Sequence, residues 1–393
     1  MKKKILGALA LLGVALLGLC PGSAEEPVRI FLATDTHHLS PSLTDYGDMF
    51  HNVVYVNDGK LTEHSGEFVD ALLSRAQAAQ ADAVVVTGDL TFNGERDSLL
   101  DIAEKFKASW EAGVPVIVLP GNHDISSTLS RNYFGHQSRP VENISQADFE
   151  LICSGFGRDQ AIAKDEASFS LIYPVGDSIW LVLLDANTDQ APTGTLPDAT
   201  LDWLASWLRK AQDEGKTVLS FSHQNLLPVN ALYADEFTIS NCDEVLRLYA
   251  QYGVRYHFSG HSHIQHETQN ETGLTEYVTG PLCVTPLHYA VITLEDQNVH
   301  YEAHTLDMYE QEAIDRFRAP MILSMNNLLS SYALTQEERD IMSDFAATLN
   351  QAYFAGDRAA IQAMKESEGW ALWRAKALGS FWYTYMWSIF EQD

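Results

Sequence analysis

The chain has 393 residues, 46% of them hydrophobic and 20% charged, and carries a formal net charge of −28. That length and apolar content allow a large core and suggest a main domain with an accessory unit, and they exclude a disordered or fibrous class. The acidic balance excludes polymeric nucleic acid as an expected partner, because such affinity comes largely from Lys and Arg neutralising phosphates; a small anionic substrate is admissible where bound cations dominate the local field.

The first segment stands apart from the rest. Lys2, Lys3 and Lys4 precede an uncharged run over residues 5–19, and Gly22, Ser23 and Ala24 are small residues of the kind a signal peptidase reads. Residues 1–24 therefore read as a signal peptide cleaved after Ala24, which makes the mature protein secreted or extracytoplasmic with no stable membrane span. Two alternatives stay open. An uncleaved anchor would have to span with a run shorter than the usual ~20 residues, and lipidation of Cys20 would follow the bulky Leu19 rather than a small residue. Removal of the three lysines takes the charge from −28 to −31. Cys153, Cys242 and Cys283 remain, an odd number without metal-type spacing, and are expected as buried small hydrophobes with at most one disulfide among them.

From residue 28 onward, apolar runs alternate with helical patterns. VRIFLAT (28–34), DAVVVT (82–87), VPVIVLP (114–120), TVLSF (217–221) and VRYHF (254–258) read as buried strands. Residues 67–79, 96–112, 198–213 and 243–252 place apolar side chains at three- and four-residue spacing and read as helices. Strands are expected at 169–175 and 178–185 around a Val-Gly-Asp turn, and 289–293 with 300–304 suggests a closing hairpin. The expected fold is α/β, two packed sheets with helices outside. Beyond residue 306 the pattern is helical only: Thr335 to Glu338 forms a capping box for a helix running to about Phe354, and Gly356-Asp357 ends it and caps the next. Trp370, Trp373, Phe381, Trp382, Tyr383, Tyr385, Trp387 and Phe390 crowd the last stretch, where packing is the expected role and closure over a substrate the alternative. The chain shows no internal repeat and no low-complexity tract.

Each of the five buried runs is followed directly by polar residues suited to metal binding: Asp35-Thr36-His37, Gly88-Asp89, Gly121-Asn122-His123-Asp124, Ser222-His223 and Gly260-His261-Ser262-His263. In open α/β sheets ligands collect at strand ends, so these residues are expected on one sheet edge. Asp35 and His37 can turn toward one ion, and Asp89 has two oxygens with which to bridge a pair. Asn122 offers a weaker amide oxygen; His223 and His261 would complete the second ion and His263 the first. Two divalent ions ~3.5–4 Å apart can generate a hydroxide and clamp an in-line displacement at phosphorus. His123 is then free to protonate a departing alkoxide, with Asp124 orienting its ring. His38, His257 and His266 are expected to support the site from outside or to be incidental to it. Taken singly each motif is weak, but the ordered set at strand ends is specific.

These motifs resemble those of calcineurin-like metallophosphoesterases, and the resemblance covers Val28 to about Leu306, which implies such a domain at residues 25–306. Within that family, the segments 35–45 and 88–95 and the helical C-terminal region at 307–393 resemble secreted bacterial class III cyclic-nucleotide phosphodiesterases. The resemblance implies a four-layer αββα sandwich with a small all-helical C-terminal domain. It also implies two divalent metal ions (Mn, Fe or Zn) and hydrolysis of a small phosphoester, with Asn122 and His123 on the substrate. Cyclic nucleotides are the implied substrate; broader action on nucleotides, glycerophosphodiesters or phospholipid head groups is the alternative, and a non-catalytic metal-stabilised binding protein a third reading. Two departures stand out: relatives often carry His-His where this chain has His223-Gln224, and Phe92 replaces the tyrosine of purple acid phosphatases.

Overall fold

The computed structural model describes residues 27–56, 59–187, 193–295 and 298–392, so the signal segment expected at residues 1–24 lies outside the described residues. Two sheets form the centre. The first runs, in spatial order, Asn298–Thr305, His288–Glu295, Val28–Ala33, Ala83–Thr87, Val116–Leu119. Its last three strands are parallel to one another, and the first two join antiparallel as a hairpin. The second runs His266–Gln269, Thr275–Val278, Tyr256–Ser259, Thr217–Ser222, Ile179–Leu184, Leu171–Val175, Ala163–Lys164, with a parallel centre and antiparallel edges.

The strand Ile179–Leu184 shows why these layers form. All six residues are buried, and they alternate between two cores: Ile179, Leu181 and Leu183 join the first sheet's Ile30, Val85 and Ile117, while Trp180, Val182 and Leu184 pack with Leu204, Leu208, Val245 and Leu248 of the helices Asp198–Asp213 and Cys242–Tyr252. On the far side, helices Ser65–Ala78 and Arg96–Glu111 cover the first sheet with Phe68, Leu72, Leu99 and Ile102. The expected αββα layering is what the chain adopts.

Some elements carry no readable period. The hairpin Arg131–Phe134 with Gln137–Pro140, the helix Gln146–Cys153 and the edge strands His266–Gln269 and Thr275–Val278 lie outside the runs that sequence patterning identifies. Cys153 and Cys283 are buried, Cys242 is half-buried, and no disulfide joins them. No helix among the described residues is long and apolar enough to cross a membrane.

After residue 306 five helices of seven or more residues follow, from Glu310–Leu329 to Phe381–Phe390. The capping box is present in both directions, Glu338 N–H to Thr335 Oγ1 at 3.1 Å and Thr335 N–H to Glu338 Oε2 at 2.8 Å. Asp357 caps Ala360 N–H at 2.9 Å. The aromatic stretch is largely core: Trp370 stacks on Tyr383 at 5.2 Å, and Trp373 is fully buried with its indole N–H donated to Met342 O at 2.9 Å. This core also takes in Val229, Ile264 and Val278 from the sheet domain, so the helical unit is packed onto it. A second attachment is buried Arg316, whose guanidinium reaches Glu63 at 2.7 Å and Glu312 at 2.9 Å and lies 3.4 Å from the centre of the Tyr55 ring. Trp373→Ala should destabilise the chain by about 3–5 kcal/mol, measured by denaturant unfolding, with turnover per folded molecule unchanged; altered turnover in the folded variant would contradict a packing role.

Candidate dimetal site

Four loops at the strand ends are knit together before any side chain reaches the centre. Asp35, His37 and His38 N–H donate to Gly88, Asp89 and Leu90 O at 3.1, 2.9 and 3.0 Å, so the first two motifs run side by side. Gly260 N–H donates to His223 O at 2.9 Å, which joins the last two. The glycines permit this closeness. A Cβ on Gly121 would overlap the Asp89 carboxylate, and one on Gly260 would overlap the Thr34 hydroxyl. Asp35, His37, Asp89, His261 and His263 all have positive φ, between 41° and 64°. Left-handed backbone in non-glycine residues costs about 1–3 kcal/mol each and persists where the surroundings enforce it.

The side chains converge in two groups. In one, His263 Nε2 lies 3.1 Å from Asp35 Oδ1 and 3.3 Å from His37 Nε2. In the other, His223 Nε2 lies 3.0 Å from Asn122 Oδ1 and 3.3 Å from Asp89 Oδ2. Asp89 Oδ2 is also 3.7 Å from His37 Nε2 and so stands between the groups. His223 Nδ1–H donates to Thr87 O at 2.8 Å, which leaves a lone pair on Nε2 of the neutral ring facing two acceptor oxygens. In that form three acceptors face one another and call for a cation between them, which a proton on Nε2 or a metal ion can supply. Two sets of ligand atoms, from Asp35, His37 and His263 and from Asp35, Asp89 and His223, are compact enough to hold one ion each. His261 stands just outside them: its ring centre is 5.0 Å from that of His223, and among the described residues neither its buried Nε2 nor His37 Nδ1 has a hydrogen-bond partner. Oxygen and imidazole donors without thiolate suit Mn, Fe or Zn and do not choose among them.

The protonation states fit the same purpose. Burial lowers the pKa of His261 to about 3, with the His223 charge adding to it, and burial followed by the charge of Lys60 holds His37 well below its ordinary value. Burial pushes Asp35 and Asp89 up, but nearby imidazoles outweigh it and keep both carboxylates below the usual range. His223 is the exception: burial opposes its charge, yet Asp89 raises its pKa to about 9, so a proton occupies the place a metal would take.

His123 and Asp124 divide differently from expectation. Asp124 does not face the His123 ring. Its buried carboxylate accepts from the N–H groups of Leu90 at 3.1 Å, Thr91 at 2.9 Å and Gly121 at 2.8 Å, and so fastens the second motif loop to the third. The ring is positioned instead by Asn93, whose Oδ1 lies 3.0 Å from His123 Nδ1, while His123 N–H donates to Asp89 Oδ1 at 2.9 Å. Sequence reasoning missed Asn93, the Thr87 carbonyl and Lys60, since none falls at a strand-end motif. Among the other histidines, His257 is satisfied by the Ser220 and Ser222 hydroxyls, at 2.9 Å each, His38 by Ser65 and Asp101, and His266 lies beside Arg358.

Residues 28–265 match the calcineurin-like phosphoesterase family, and residues 299–393 match the C-terminal domain of cyclic nucleotide phosphodiesterase. The chain belongs to the calcineurin-like phosphoesterases and is a metal-dependent phosphoric ester hydrolase. It is 25% identical over 246 residues to the 3′,5′-cyclic adenosine monophosphate phosphodiesterase CpdA of Escherichia coli K12, covering 62% of this chain and 72% of that one. It is 26% identical over 265 residues to a probable cyclic nucleotide phosphodiesterase of Rhodococcus erythropolis, covering 63% and 76%. A dimetal phosphatase from Danio rerio shares the fold with a TM-score of 0.54 at 16% identity, over 71% of this chain and 96% of that one.

Asp89 Oδ2 lies 3.3 Å from His223 Nε2 and 3.7 Å from His37 Nε2 and so reaches toward both groups; Asp89→Asn should lower the metal content from two ions per chain to fewer than one by mass spectrometry. Two ions retained with normal activity would overturn the bridging role.

Proposed function

We propose that this chain is an extracytoplasmic phosphodiesterase for small phosphodiesters, cyclic nucleotides first among them, with His123 as general acid. The observation that carries the proposal is the half-exposed His123 ring, anchored by Asn93 and, through its main chain, by Asp89, at the edge of the two ligand groups. The match of the C-terminal region to cyclic nucleotide phosphodiesterases and the names of the two bacterial relatives support the substrate class. The signal-like residues 1–24 support the location.

Asp35, His37, Asp89, Asn122, His223, His261 and His263 would hold a pair of divalent ions. Such a pair, when bound, supplies Lewis acidity at phosphorus and a water acidic enough to attack at neutral pH. The protein does the rest. Asn93 holds the His123 ring by Nδ1 and turns Nε2 toward the open side, where it can give its proton to the leaving alkoxide. The edge of the His123 ring against His37, with centres 5.1 Å apart, limits rotation. Asn122 keeps Oδ1 on the ligand side, which leaves its amide hydrogens to orient a phosphoryl oxygen.

His123→Ala should retain both metals and lose about 10²- to 10⁴-fold in turnover of 3′,5′-cyclic nucleotides, but far less with bis-p-nitrophenyl phosphate, whose leaving group hardly needs a proton. A steady-state comparison with added Mn²⁺, with and without chelator, tests this. Equal losses for both leaving groups would remove the acid role, and wild-type turnover of p-nitrophenyl phosphate well above that of both diesters would replace diesterase with monoesterase.

A further inference from the structure

The segment between the strand Thr217–Ser222 and the helix Cys242–Tyr252 does more than connect them. It begins at His223, crosses to the C-terminal helices and returns beside the site at Phe237. Asn225 N–H donates to Phe237 O at 3.1 Å, and Ile239 N–H donates to Asn225 O at 2.9 Å, so the returning strand of the loop is tied to the residues just after His223. The Phe237 ring meets the His261 ring at a centre-to-centre distance of 5.5 Å and an angle of 64°. Both residues are half-exposed, whereas Asp35, His37, Asp89 and His223 are buried. A partly exposed aromatic ring is therefore kept beside His261 at the rim of the site.

The loop is braced from behind. Asn230 Nδ2–H donates to Ser388 Oγ at 3.0 Å and lies 3.4 Å from Tyr353 Oη, and Tyr233 packs its ring edgewise on Tyr385 at 6.0 Å. Val229 is part of the C-terminal core. The rings of Trp370 and Trp373 lie within that core and do not themselves provide a face to the site.

We infer that Phe237 is a specificity residue: its ring stacks on an aromatic arm of the phosphodiester, a nucleobase in the proposed substrate class, and the C-terminal helices act by holding the loop that presents it. This deepens the phosphodiesterase reading and rests on it. The chemistry is direct, since every base has a π-face and stacking on a fixed ring is worth about tenfold or more in affinity.

Isothermal titration of the Mn²⁺-loaded full chain with adenosine 5′-monophosphate, the product type of nucleotide diester hydrolysis, and with ribose 5-phosphate isolates the base. The wild type should bind the adenosine ligand about tenfold or more tightly than the sugar phosphate. Phe237→Ala should reduce that preference to roughly threefold or less and leave ribose 5-phosphate affinity unchanged, and Phe237→Tyr should restore it. If ribose 5-phosphate binds but the base adds nothing in the wild type, or if the preference survives in Phe237→Ala, the stacking role is wrong while the phosphoester site stands. If neither ligand binds, the phosphoester reading falls and this inference with it.

Discussion

The structure depends on one electrostatic constraint: carboxylate, amide and imidazole ligand atoms, most of them on buried residues, face one another at 3.0 to 3.7 Å, and each close pairing calls for a proton or a metal ion between its members. Water cannot relieve this, because Asp35, His37, Asp89 and His223 are shut away from solvent. Isolated buried charges are expensive, and a cation pair removes the expense. The positive-φ residues at Asp35, His37, Asp89, His261 and His263, and the glycines that admit the neighbouring motifs, are the backbone form of the same constraint. A chain folds into such geometry when the surrounding sheets over-determine it, and the two central sheets here do so through parallel strands buried on both faces.

The division between rigid centre and adjustable rim follows from where each residue sits. The candidate ligand residues follow strands paired on both sides, except Asn122, whose strand Val116–Leu119 is the edge of its sheet. Residues that would meet the substrate, His123, Asn122 and Phe237, lie on loops, with Asn93 positioning the His123 ring and the C-terminal helices bracing the loop of Phe237. Asp124 shows how the two regions connect: its carboxylate ties the Gly88-Asp89 loop to the Gly121-Asn122 loop, and burial together with the charge of Asp89 raises its pKa to about 6 despite those donors. The helical unit is likewise fastened to the sheet domain through Arg316 at Tyr55 and Glu63, and to the 223–241 loop through Ser388 and Tyr385.

Most of the layered fold was legible because buried parallel strands are written as continuous apolar runs. Val84, Val85 and Val86, or Val116 to Leu119, admit little else. The candidate ligand residues were legible as a set because each motif directly follows such a run. Legibility ended where tertiary proximity takes over from spacing. His266-Glu267-Thr268-Gln269 forms a strand by pairing with Thr275–Val278, not by its own pattern. Asp124 beside His123 suggested a carboxylate–imidazole pair, but the loop turns the carboxylate inward to backbone amides and brings Asn93 from thirty residues away. Phe237 carries no signal at all in the sequence: one apolar residue in a loop acquires meaning only when that loop returns to His261.

The central claim, two cations held side by side through Asp89, is tested most directly by electron paramagnetic resonance of the chain loaded with two equivalents of Mn²⁺. Ions ~3.5–4 Å apart should give the multiline signal of a spin-coupled pair, with half the usual hyperfine spacing. A six-line spectrum of independent Mn²⁺ at that loading, or binding that stops at one ion per chain, would contradict the account.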